Sequence, residues 1–221
     1  VNLLHVDVHP GIALLAWLIL APALVLAVRA SRGGFFAHEF VKDAWLGGAV
    51  CVALLWTFEV KVGAGPRFGM LGSGLYALVF GRSRGMLGLM LALVTHTALD
   101  HGSWLNLGVN GVLFAVLPTM IASTLQQRIE AALPHNLFVF MIGNGMFVTL
   151  IATAVTSLAL ISIALGTGAS APVVDVGEYL GAALLLAWSE AIVSGMLLSA
   201  LVVFLPGVVL TYRADLYLSR P

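Results

Sequence analysis

Charge is scarce in this sequence. Of 221 residues, 9% are Asp, Glu, Lys or Arg, where a soluble domain carries about 25%. Hydrophobic residues make up 61% of the chain, and the mean hydropathy is +1.06. So little polar surface cannot cover a water-soluble globule. The composition therefore predicts a polytopic integral membrane protein. An excess of one charge sign is also missing, because ten Lys and Arg balance ten Asp and Glu. Nucleic acid as main partner would need a basic face, so that class is set aside. Cys51 is the single cysteine, which excludes a disulfide framework and a Cys-rich zinc or iron–sulfur site.

Several motifs are absent as well. There is no G-x-x-x-x-G-K-[ST] phosphate loop, so ATP is not hydrolysed through that motif. There is no H-E-x-x-H, no repeated H-x-x-H-H and no G-x-S-x-G elbow around Ser73, Ser189 or Ser194. No catalytic constellation is readable, and an enzyme is not expected. No polar stretch is long enough to hold an appended soluble domain, so residues 1–221 read as one integral membrane domain in contact with the lipid bilayer. The opening VNLLHVDVHP carries no Lys or Arg, and no A-x-A-like site follows. The first apolar run is therefore expected to be a retained helix, not a signal peptide.

What the sequence has in quantity is apolar runs. A spanning helix takes about 17–25 mostly apolar residues. Seven segments stand out: Gly11 to Val28, Ala44 to Glu59, Phe68 to Phe80, Gly85 to Leu99, Trp104 to Leu125, Leu137 to Leu165 and Glu178 to Tyr212. The third and fourth are short for full spans. The seventh carries Pro206-Gly207, an expected break point. Continuous runs, without period-two alternation, predict helices and not barrel strands, and every backbone polar group in lipid must be paired internally. The expected fold class is an all-α transmembrane bundle of about seven spans. With the N-terminus outside, the inner loops hold Arg29, Arg32, Lys42, Arg82, Arg84, Arg128, Arg213 and Arg220, and the outer loops hold Lys61 and Arg67. The positive-inside rule selects that orientation, with the C-terminus cytoplasmic. The abundant glycines, including Gly72, Gly74, Gly108 and Gly111, fit tight helix packing or backbone lining a cavity.

The few polar residues give the candidate sites. His5, Asp7 and His9 alternate at i, i+2, i+4, which would place them on one side of an extended segment. Imidazole and carboxylate suit a divalent transition metal. A solvated tail is the plainer alternative. His96 and Asp100 share a helix face at i, i+4, and His101 opens the next turn. They can supply ligands or orient them, or form a capped, solvated helix end. Asp175 and Glu178 precede the seventh segment, where the helix dipole alone accounts for acidic residues. Within the apolar runs, Glu190 stands out, because a carboxylate in the membrane is costly unless paired or protonated. Asn110 and Asn144 are lesser cases that interhelical hydrogen bonds explain.

Taken in order, GAGPRFGMLGSGLYALVFG (63–81), LGVNGVLFAVLP (107–118) and SEAIVSGMLLSALVVFLPGVVL (189–210) resemble the CbiM/NikM-type family. These are the substrate-capturing membrane subunits of cobalt and nickel energy-coupling-factor transporters. The pieces are short and glycine-dominated. The resemblance implies a seven-span subunit of the cytoplasmic (inner) membrane. It would take up a divalent transition metal, cobalt or nickel, as substrate, not as cofactor. Its implied partners are other membrane subunits and separate soluble ATPase subunits, which accounts for the missing phosphate loop. Asn110 and Glu190 fall at family-pattern positions. The family's metal site does not carry over intact. Members open Met-His, whereas the first histidine here is His5. The histidine of the family's G-H-L-L-G stretch aligns with Gly69, which has no side-chain donor. The resemblance thus implies a divergent member with a rebuilt donor set from His5, Asp7, His9, His96, Asp100 and His101, or with another substrate. The alternative is an accessory membrane subunit with no substrate of its own.

Overall fold

The computed structural model describes residues 8–31, 39–58, 60–61, 67–99, 103–134, 136–166, 176–213 and 217. Among the described residues, seven helical segments build the bundle. They are α1 (Pro10–Ser31), α2 (Glu39–Leu55), α3 (Ser73–Phe80), α4 (Arg82–Leu99), α5 (Trp104–Ala132), α6 (Val139–Gly166) and α7 (Val176–Phe204). α5 opens with a 3-10 turn and contains a π segment at Val112–Val116, and the first ten residues of α6 are π-helical. The all-α expectation holds with one small addition. Val60–Lys61 and Arg67–Phe68 pair as a two-residue antiparallel ladder.

By length and composition, α1, α5, α6 and α7 can each cross a membrane. α3 cannot, because its eight residues rise about 12 Å against a hydrocarbon core of about 30 Å. α3 instead folds back on α4 as a helical hairpin. Gly81 makes the turn at φ 78°, a left-handed conformation open to glycine, and its N–H bonds the carbonyl of Ala77. The expected break at Pro206-Gly207 is present. α7 ends at Phe204, and a 3-10 turn covers Pro206–Val208. The chain then returns to α3, where the Leu210 N–H bonds the carbonyl of Val79 and the Thr211 hydroxyl bonds that of Leu78. Two carbonyls left over at the end of α3 are satisfied this way.

Close contacts fix the helix directions. Trp17 packs on Gly108 and Leu20 on Gly111, so α1 runs parallel to the start of α5. α4 precedes α5 in the chain and packs against α1 and α5. Gly145 and Gly195 bring α6 and α7 together, with a β-carbon on Gly145 falling 2.9 Å from the Gly195 Cα. Small residues permit that approach in a membrane. The result is a bundle with two distinct ends. Arg29, Lys42, Arg82, Arg84, Arg128 and Arg213 lie at one end, with Arg213 3.8 Å from Glu130. The start of α1, the ends of α2 and α4, and the chain before α3 lie at the other.

Candidate functional site

The opposite end of the bundle converges on Trp56, just past α2. Trp56 is buried, and its indole N–H donates to the Leu71 carbonyl at 2.7 Å. One edge of the indole meets His96 in a T-shaped contact, ring centres 6.1 Å apart, and Phe114 lies 6.0 Å away. His96 is 3% exposed. The apolar run around it on α4 places it inside the bundle.

The chain between the β ladder and α3 is held from below. Glu190 of α7 is 1% exposed. One carboxyl oxygen accepts the Leu71 N–H at 2.9 Å and the other accepts the Gly72 N–H at 2.8 Å. Gly72 has φ 64° and sits at the N-terminus of α3, so the carboxyl group also lies where the helix dipole favours negative charge. The Thr153 hydroxyl of α6 borders the same carboxyl. The Leu71 peptide is thereby clamped on both sides, its carbonyl by Trp56 and its N–H by Glu190. Buried Gly69 and half-buried Met70 occupy the clamped stretch. An apolar groove of about 580 Å³ flanks it between α2, α3 and α7. Val52, Leu55, Tyr76, Val193 and Leu197 line the groove, and Glu190 reaches its wall.

The other sequence candidates fall as follows. His9 is exposed, and its Nδ1 accepts the Gly11 N–H at 3.2 Å, which caps the start of α1. Val8 beside it is buried in the core. His5, Asp7, Asp100, His101 and Asp175 lie outside the described residues. Among the described residues, no group of three or more His, Cys, Asp or Glu comes together as a metal site. Asn110 and Asn144 are fully buried. Glu178 is exposed in the first turn of α7. Sequence reasoning singled out Glu190 but not its partners, since a backbone N–H leaves no mark in the sequence. It also passed over Trp56 and a row of hydroxyls on α6. That row was readable in TLIATAVTSLAL at helical spacing.

This architecture defines a polytopic helical membrane protein in which Glu190, midway along α7, and Trp56 clamp the backbone before α3. The family model described as "Cobalt uptake substrate-specific transmembrane region", CbiM, matches residues 7–208, and the chain belongs to that family. It is an integral membrane component of a metal-uptake system, a transport component and not an enzyme. A crystal structure of a truncated transition metal transporter shares the fold with a TM-score of 0.74 at 19% identity. The match covers 88% of this chain and 95% of that one. A second crystal structure, of a transition metal transporter, gives 0.72 at 17% identity and covers 88% and 89%. At such identities the likeness speaks for the fold. No curated protein matches the sequence.

Proposed function

We propose that this chain is the solute-capturing membrane subunit of an energy-coupling-factor uptake transporter, with a divalent transition metal, cobalt or nickel, as its substrate. Separate membrane and soluble ATPase subunits would supply the coupling and the energy. The observation that carries the reading is the convergence at one end of the bundle. Trp56 there contacts both His96 at the end of α4 and the clamped chain at Leu71. The donors are drawn from His5, Asp7, His9, His96, Asp100 and His101. His9 and His96 are the described members of the set, and imidazole with carboxylate suits such metals. In this reading the arginine end faces the cytoplasm, as the positive-inside rule requires, and the capture end faces out. The membrane is the cytoplasmic (inner) membrane, and α3 by itself does not cross it.

One observation favours a second reading, an accessory membrane subunit without a substrate. The position where the family pattern has histidine is Gly69, which offers no side-chain ligand. Purification in mild detergent separates the two. Bound cobalt or nickel with co-purifying ATPase subunits supports capture. A stable metal-free complex with a non-transport enzyme supports the accessory role.

A further inference from the structure

The inner face of α6 carries a row of polar side chains of which only Thr153 touches the clamp. Thr149, Thr153, Thr156 and Ser157 recur at i, i+4, i+7 and i+8, one face of a helix. Asn144 precedes Thr149 by five residues, one π-helical turn. All five are at most 1% exposed. Ser73 at the start of α3 is buried nearby, since its neighbour Gly74 packs on Thr149. The hydroxyls of Ser73, Thr149, Thr156 and Ser157 and both amide atoms of Asn144 have no hydrogen-bond partner among the described residues. Leaving a buried donor or acceptor unpaired costs about 1–3 kcal/mol, and folded proteins leave few such groups.

Hydroxyls elsewhere in this chain solve that problem locally. Thr95, Thr97, Thr119, Thr124, Ser162, Ser189 and Ser199 each bond back to the carbonyl four residues earlier. Those on the inner face of α6 do not. They share one stripe, yet they do not bond one another. What fits is a small bridging molecule that both donates and accepts.

We propose that this face of α6, with Ser73, binds a row of ordered waters reaching from Asn144 to Ser157. At 1.5 Å per residue the row extends about 20 Å, two-thirds of the hydrocarbon thickness. Through Thr153 it meets Glu190. Water matches the chemistry, because a buried water takes two to four polar partners. A divalent cation does not. Both oxygens of Glu190 are engaged by backbone N–H groups, and the other donors are neutral, so its charge would stand uncompensated in the membrane. The row ties the clamp at Leu71 and Gly72 to the interior of α6. It does not depend on which solute the protein captures.

The sign of a stability change tests this. Thr149→Val and Thr156→Val, made singly in the full chain in detergent, keep the shape and remove the hydroxyl. If waters bridge the row, each change orphans a water and its partners, and the apparent unfolding midpoint falls by about 2–4 °C. A midpoint that rises or stays put means that the hydroxyls were dry, and overturns the proposal. Ser162→Ala, which faces lipid and is bonded to its own helix, serves as the control. High-resolution electron microscopy gives the second readout. Density for waters between α6 and its neighbours is expected. The same hydroxyls bonded to carbonyls four residues back, with no density between, contradicts it.

Discussion

Glu190 accepts the backbone N–H of Gly72 at 2.8 Å, joining the middle of α7 to the start of α3 across 118 residues of sequence. With the parallel bond from Leu71, it explains why a carboxyl group sits at this depth of an apolar helix. Replacing Glu190 by Leu would leave two buried N–H groups unpaired, a loss of about 2–6 kcal/mol at the usual cost per group. Glu190→Gln keeps one acceptor oxygen and is expected to lose roughly half as much. Thermal unfolding in detergent measures both. Equal losses in the two variants would show that the charge, and not the acceptor pair, is what the site requires.

Gly72 is predicted to resist substitution. Its φ of 64° is costly for any residue with a β-carbon, by about 1–2 kcal/mol. A β-carbon there would also fall 3.2 Å from Leu55. Gly72→Ala is expected to lower the unfolding midpoint and to weaken solute binding more than Gly166→Ala, where a β-carbon meets nothing within 4 Å. Matched effects from the two alanines would remove any special role for the clamped stretch.

The contact between α6 and α7 gives a packing prediction. Gly145→Ala would drive a methyl group to 2.9 Å from the Gly195 Cα, and backbone cannot move aside as a side chain does. Overpacking costs about 1–3 kcal/mol. Loss of stability should appear with little change in solute affinity, since this contact lies away from the capture end. The same assay on Gly181→Ala, which meets open space, should show almost none.

Much of the fold was legible because lipid restricts the choices. Apolar runs of helical length with internally paired backbone allow little besides a helix bundle, and the Pro206-Gly207 break follows from proline chemistry. Element lengths were harder to read. The segment at Phe68 to Phe80 looks continuous by composition, yet α3 starts at Ser73, because Glu190 holds the preceding residues in a non-helical turn. Sequence also pointed to Glu190 by its cost in a membrane. It could not name Leu71 and Gly72, which take part through backbone groups every residue has. His96 was open to two readings, a ligand or orienting group and a capped, solvated helix end, and the fold buries it against Trp56.

Orientation is open to direct labelling. With exposed Cys51 replaced by serine, single cysteines at Ser83 and Ser103 are expected to react with a membrane-impermeant reagent from opposite sides. Ser103 should be labelled in intact cells, and Ser83, between Arg82 and Arg84, only after the membrane is opened. Labelling of Ser83 from outside would invert the account of which end captures solute.

Metal stoichiometry of the purified chain bears most directly on the central claim. After exposure to cobalt or nickel and removal of excess, about one tightly held ion per chain is expected. It should be reduced severalfold by His96→Ala. Imidazole ligands bind only when neutral, so binding should weaken in acid and recover as pH rises. A folded protein that holds neither metal at neutral pH would contradict metal capture and leave the accessory-subunit reading in its place.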